Sequence, residues 1–147
     1  MRAVTRARTV PAPQREVWDV VSDPYHLPRW WPLVERVEEV TDDAWTQVMR
    51  SPRGRAVRAD YTRVESDPPR RLVWRHEVDE SPFERVYAES LTRVELEPDG
   101  DATRVRLTAT AKLRGKSRYG AMMVRRATKR RFDEALDGLR YALGGGS

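Results

Sequence analysis

Two side chains near the middle of the sequence have the chemistry for proton transfer. Tyr61 carries a phenol, and His76 carries an imidazole, the group most often used in general acid–base catalysis. The alternating stretch 71–78 puts His76 on the same apolar face as Trp74, because alternate residues of a strand share a face. An imidazole on such a face fits a core position as well as a catalytic one. Tyr61 and His76 are therefore the candidate catalytic residues, and a purely structural role stays open for both.

Motifs of well-defined enzyme classes are absent from the sequence. It contains no GxSxG nucleophile elbow, phosphate-binding loop, HExxH zinc motif or GxGxxG turn after a strand. The lack of cysteine excludes disulfides, thiolate zinc sites, iron–sulfur clusters and cysteine nucleophiles. The two histidines are too few for a histidine-rich metal site. We therefore expect neither a metal nor a cofactor, and the sequence leaves open whether the protein is an enzyme.

The spacing of turn signals predicts an α+β fold. The 147 residues fit one domain, which begins with a strand over 4–10 and continues with two short helical segments. Turns rich in proline, aspartate and glycine then separate six stretches of strand character. These stretches run over 34–40, 44–50, 55–64, 71–78, 84–97 and 103–113. Apolar residues at helical spacing predict a long helix over 116–143.

Local signals fix several of these boundaries. Asp23 followed by Pro24 is typical of a helix start, and Pro32 disfavours helix at Trp31. Short turns such as Asp99-Gly100 join neighbouring antiparallel strands. The resulting curved, seven-stranded antiparallel sheet can bury its concave face by wrapping around the last helix. We expect residues 1–143 to form a single domain and 144–147 to form a flexible Gly/Ser tail.

Strand parity and helical angle predict which side chains line the space between the sheet and the long helix. The set combines small residues with aromatic walls, which indicates either close approach of the helix or room for a small molecule. The candidate lining residues are Trp30, Trp45, Ala59, Tyr61, Trp74, His76, Ala88, Ser90, Ala109, Met122, Arg125 and Thr128. Arg125 lies on the apolar stripe of the helix, so its guanidinium needs a buried acceptor or must reach the sheet rim.

Charge is distributed unevenly along the chain. The segment 112–131 contains nine basic residues and no acidic one. The chain has 28 basic and 23 acidic residues, so the remainder carries 19 and 23 and has a net charge of −4. Such asymmetry is typical of proteins that bind nucleic acid, an anionic membrane or an acidic partner. A solvated helix face would explain it as well.

The N-terminal third of the sequence resembles the polyketide cyclase/dehydrase branch of the START-like, or SRPBCC, superfamily. The resemblance rests on VPAPQREVW at 10–18 and SDPYHLPRWWP at 22–32, and the order of elements extends it over the whole chain. It implies a helix-grip fold with a deep hydrophobic cavity, in which Trp30 and Trp31 lie near the mouth and the first half of the last helix forms one wall. Functions implied by the resemblance are cyclisation or aromatisation of polyketides and carriage of lipids, sterols or quinones. No catalytic residue can be carried over by position.

Three hypotheses of function follow. The first is binding of a hydrophobic or aromatic small molecule, such as a lipid, polyketide or quinone, between the sheet and the last helix. The second is a cyclase or dehydratase that uses His76 or Tyr61 for acid–base chemistry. The third is association of the basic segment 112–131 with nucleic acid or an anionic membrane. We expect a cytoplasmic protein, because the first 20 residues contain no long apolar run, and both a monomer and a homodimer stay open.

Overall fold

The chain folds into an antiparallel sheet that carries one long helix on its concave side. The computed structural model describes residues 3–79, 86–115 and 118–144. Its strands and helices follow the predicted α+β order. They are β1 (Val4–Val10), α1 (Gln14–Val21), a 3-10 turn (Pro24–His26), α2 (Leu27–Trp30), β2 (Val34–Glu38), β3 (Ala44–Arg50), β4 (Ala56–Asp67), β5 (Arg71–Glu77), β6 (Tyr87–Asp99), β7 (Ala102–Leu113) and α3 (Arg118–Ala142). The starts predicted at 84 and 116, and the tail after Gly144, lie outside the described residues.

The sheet has seven strands in the order β1-β7-β6-β5-β4-β3-β2. All pairings are antiparallel, as the short turns predict. In the turn between β6 and β7, Gly100 has φ +60°, a conformation that costs glycine little because it has no Cβ. β1 forms one edge of the sheet, where it pairs with β7. The last helix contacts β1 at this edge.

The helix boundaries predicted from the sequence are present around α1 and α2. Val17, Val20 and Val21 form the buried side of α1. The Asp23 carboxylate accepts a hydrogen bond from the Tyr25 backbone N–H at 3.0 Å and so caps the 3-10 turn. α2 ends at Trp30, and Trp31 is extended, because the following proline disfavours helical backbone before it.

The two halves of α3 differ in how they are held. The C-terminal half buries Phe132, Ala135, Leu136 and Leu139 against the core. Its carboxylates also pair with β1, where Arg6 lies 3.4 Å from Asp133 and Arg8 pairs with Asp137. Among the described side chains of 119–131, by contrast, only Thr128 is buried. The C-terminal half therefore fixes the position of the helix.

At Gly138, α3 packs closely against the backbone of α2. A Cβ added there would lie 2.5 Å from the carbonyl oxygen of Trp30 and 3.0 Å from its Cα. Both distances are to backbone atoms, which cannot yield without moving α2. Glycine at this position therefore allows the two helices to touch.

We predict that Gly138→Ala destabilises the protein. Alanine favours helix over glycine by about 1 kcal/mol, but overpacking a tight contact costs about 1–3 kcal/mol. We expect a net loss of up to about 2 kcal/mol in the free energy of unfolding, measured by urea denaturation. A more stable variant, as helix propensity alone requires, would contradict the close contact.

Candidate functional site

Three rings form a row across the middle of the concave face. Trp45 on β3 pairs with Tyr61 on β4, and Tyr61 pairs with His76 on β5. The Trp45 and Tyr61 rings are 5.8 Å apart with an interplanar angle of 8°. The Tyr61 and His76 rings are 4.7 Å apart at 17°. We call these three residues the aromatic row.

Tryptophan side chains connect the aromatic row to both helices. Trp74 meets the edge of Trp45 at 5.9 Å, and Trp31 meets Trp74 at 5.5 Å. Trp31 also contacts Phe132 on α3 at 6.0 Å and Trp30 at 5.2 Å. Trp30 and Trp31 thus lie between the helices and the sheet. The ring contacts of Trp31 join α2, α3 and β5.

The small residues predicted around this cluster differ in burial. Ala59, Ala109 and Thr128 are buried, and Ser90 is half-buried. Ala88 is exposed, because the register of β6 against β7 shifts between Tyr87 and Glu89 and interrupts the alternation on which its inward direction was predicted. A bulge of this kind cannot be read from strand parity alone.

Met122 is more exposed than the sequence predicts, whereas Arg125 takes the rim position, one of the two that the sequence leaves open. The Met122 side chain is 44% exposed and so is not enclosed between helix and sheet. The Arg125 guanidinium donates to the Ala3 carbonyl oxygen at 3.5 Å, so it reaches the rim of the sheet beside β1. Arg125 therefore starts on the apolar stripe of α3, and its side chain extends to the edge of the sheet.

Arg131 is the arginine whose charge acts on the aromatic row. It lies seven residues, or two helical turns, before Gly138, so both face the same side of α3. That side points toward α2, as the contact between Gly138 and Trp30 shows. Its positive charge lowers the pKa of both Tyr61 and His76. Sequence reasoning missed Arg131 because it stands about 100° from Phe132, outside the apolar stripe.

Burial keeps the two titratable members of the row uncharged. Burial raises the pKa of Tyr61 to about 12, and the Arg131 charge opposes this only partly. Burial lowers the pKa of His76 to about 4, and the Arg131 charge acts in the same direction. At neutral pH the site therefore contains a neutral phenol and a neutral imidazole.

One buried polar atom in the aromatic row and one beside it have no hydrogen-bond partner in the described part of the chain. They are Nε1 of Trp45 and Oε1 of Gln47. Gln47 follows Trp45 by two residues on β3, so the two side chains leave the same face of the strand. Leaving such groups unpaired costs about 1–3 kcal/mol each. Sequence reasoning missed Gln47, although strand parity from Trp45 would have found it.

Two open grooves on the surface are weaker candidates for a ligand site than the aromatic row. One, of about 280 Å³, is lined by Glu89, Thr110, Ala111 and Lys112. The other, of about 370 Å³, is lined by Asp67, Arg70, Arg71, Glu95, Leu96 and Glu97. Their charges pair with one another, as in Lys112 with Glu89 at 3.4 Å, so the aromatic row is the better candidate. No group of three acidic or histidine side chains suited to a metal ion is present within the described ranges.

We predict that His76 makes the protein less stable in acid. The unfolded chain protonates this imidazole near its ordinary pKa of 6.5, whereas in the folded protein it stays neutral down to about pH 4. Acid therefore favours the unfolded state, and His76 should account for a loss of up to about 3 kcal/mol as pH falls through this window.

The measurement is urea unfolding at about pH 7 and about pH 4.5. His76→Gln should show a smaller drop in stability between the two pH values than the parent. The matched control is His26→Gln, which removes the surface histidine beside Asp23. Its loss of stability between the two pH values should equal that of the parent. An identical drop in the His76 variant would refute the burial of a neutral imidazole.

Solved structures of similar fold cover nearly the whole chain. A START superfamily protein from Mycobacterium smegmatis superposes with a TM-score of 0.78 at 13% identity, covering 96% of each chain. A protein from Thermobifida fusca gives 0.75 at 23% identity and covers 98% of this chain and 94% of its own. At these identities the likeness shows the fold alone, and that fold is START-like.

Structures with a stated biosynthetic role are also similar in fold. The di-domain ARO/CYC BexL, from the BE-7585A biosynthetic pathway, superposes with a TM-score of 0.81 at 24% identity. The match covers 97% of this chain but 46% of that protein, so the chain corresponds to about half of the di-domain protein. No curated protein matches the chain in sequence.

The sequence itself matches a family model over nearly its whole length. The model is described as polyketide cyclase / dehydrase and lipid transport, and it matches residues 1–144. This agrees with the resemblance of the N-terminal motifs and with the seven-stranded sheet closed by a long helix. The chain belongs to the polyketide cyclase / dehydrase and lipid transport family, and its fold is START-like.

Proposed function

We propose that the protein binds a hydrophobic molecule with a flat, conjugated or aromatic portion between the aromatic row and α3. The observation that carries this proposal is the stacking of Trp45, Tyr61 and His76 along one line of cross-strand neighbours. Because the rings stack face to face along the row, and side chains stand perpendicular to a sheet, each ring turns an edge toward the helix. Ring edges are electropositive and favour the π-face of a flat ligand.

The polar groups around the row suggest what else such a ligand carries. Trp45 Nε1 can donate a hydrogen bond and Gln47 Oε1 can accept one, and both are buried without a partner in the described structure. The positive charge of Arg131 favours a carboxylate, enolate or phenolate at the helix side. A mainly apolar ligand with one acidic and a few polar groups satisfies all three.

The pKa directions support binding over catalysis by His76 or Tyr61. A general acid or base works best when its pKa is near the working pH. The pKa of His76 is lowered to about 4 and that of Tyr61 is raised to about 12, so both are displaced away from neutrality. A cyclase or dehydratase remains the second candidate, favoured by the family to which the chain belongs.

Two dyes with the same ring system test the proposal. N-phenyl-1-naphthylamine is neutral, and 1-anilinonaphthalene-8-sulfonate adds an acidic group. We predict that Arg131→Gln weakens binding of the sulfonate by about fivefold, as expected for loss of about 1 kcal/mol from one partly screened charge, and leaves binding of the neutral dye unchanged. Fluorescence titration gives both dissociation constants.

The matched control is Arg126→Gln, which removes the same charge from another side of α3. We expect this variant to bind both dyes like the parent. Equal loss in both arginine variants would attribute the effect to net charge and not to Arg131. Failure of the folded parent to bind either dye would contradict the proposed function itself.

A further inference from the structure

The N-terminal half of α3 has an outer face that is both apolar and basic. Stepping 100° per residue along the helix places six side chains within an arc of about 120° whose centre lies about 120° around the helix from Gly138. They are Tyr119, Met122, Met123, Arg126, Lys129 and Arg130. Tyr119 is 67% exposed, Met122 44% and Met123 49%. We call these six residues the basic apolar face.

Among the residues that the structure describes, no carboxylate forms a salt bridge with this face. Elsewhere on the surface most arginines pair with a nearby acid, as Arg50 does with Glu35 at 2.8 Å and Arg58 with Glu38. Within the ranges that the structure describes, Arg126, Lys129 and Arg130 make no salt bridge. The acidic residues of α3 begin only at Asp133, which pairs with Arg6.

We propose that the basic apolar face docks the protein onto an anionic lipid surface. Arg126, Lys129 and Arg130 would meet the headgroups, each contributing by attraction to the negative leaflet. Met122 and Met123 would enter the interfacial region, where their thioether side chains leave water. Tyr119 suits the same depth, because its ring is apolar and its hydroxyl is polar.

The methionines decide between a lipid surface and nucleic acid. Phosphates of a nucleic acid are recognised by cations and hydrogen-bond donors, and bases by aromatic stacking or polar groups. Two adjacent exposed methionines add nothing to such contacts, whereas burial in an interface removes their apolar area from water. Docking would be peripheral, since within the described residues no helix is long and apolar enough to cross a bilayer.

The basic apolar face lies on the same helix that closes the proposed ligand site. Thr128 is buried on the inner side of this half of α3, and Arg131 acts on the aromatic row from a third side. A membrane bound at the outer face would therefore contact the wall of the site directly. This arrangement suits a ligand that leaves or enters a bilayer, although docking itself does not depend on the ligand.

Co-sedimentation with vesicles tests the docking proposal. The probes are vesicles of pure phosphatidylcholine and vesicles with about 30% phosphatidylglycerol, at about 50 and about 200 mM salt. We expect binding to the anionic vesicles only, and weaker binding at the higher salt. Arg126→Gln/Lys129→Gln/Arg130→Gln should lower the affinity by about 100-fold, at about fivefold for each charge.

Two further variants make the test specific to this face. Arg53→Gln/Arg104→Gln/Arg106→Gln removes three exposed charges from elsewhere on the chain and should reduce affinity far less. Met122→Ser/Met123→Ser should weaken vesicle binding by about tenfold, because apolar area no longer enters the interface. All variants should still bind N-phenyl-1-naphthylamine in solution, which separates failure of docking from failure of the ligand site.

Three results would overturn the proposal. Equal binding to neutral and anionic vesicles would remove the role of charge. An equal loss in the two triple variants would show that net charge, not this face, is responsible. Unchanged vesicle binding in the methionine variant, together with salt-dependent binding of duplex DNA that the α3 triple variant abolishes, would assign the face to nucleic acid.

Discussion

The contact between Gly138 and the backbone of Trp30 determines how α3 lies against the rest of the molecule. It brings α3 within reach of α2, and the adjacent Trp31 then bridges Phe132 on the helix and Trp74 on the sheet. The salt bridges from Asp133 and Asp137 to β1 hold the other side of the same helical half. The N-terminal half extends from this fixed part with Thr128 as its one buried side chain among those described in 119–131. Packing elsewhere thus also sets where Arg131, at the end of this half, acts on the aromatic row.

Burial of neutral polar groups is the second constraint on the site. Tyr61 and His76 occupy an environment that disfavours charge on either, and Arg131 places a positive charge where it disfavours protonation of His76 further. Trp45 and Gln47 add a buried donor and a buried acceptor without partners in the described structure. Such an interior is costly for stability unless another molecule supplies the missing hydrogen bonds. This supports a site built to enclose a ligand that carries polar groups.

Local sequence signals were sufficient for the fold. Turn signals gave β1 over Val4–Val10 and β3 over Ala44–Arg50 with the bounds that the structure has, because Pro11 and Pro52 follow these strands and disfavour their continuation. The site was predicted less completely. The aromatic side chains follow from parity, whereas Ala88 is displaced by a bulge that depends on pairing with β7. Arg131 and Met122 depend on the tilt of α3 over the sheet, which tertiary contacts set and helical periodicity alone cannot supply.

The most direct test of the central claim follows the five tryptophans individually. With 5-fluorotryptophan incorporated, titration with N-phenyl-1-naphthylamine should shift the fluorine resonances of Trp45 and Trp74, which line the proposed site. Trp18 is buried on α1, and no ring contact joins it to the cluster within the described residues, so its resonance should stay in place. Each fluorine resonance is assigned to its tryptophan with single Trp→Phe variants. A dye that binds the folded protein and moves Trp18 alone, or moves none of the five, would contradict a ligand site on the aromatic row.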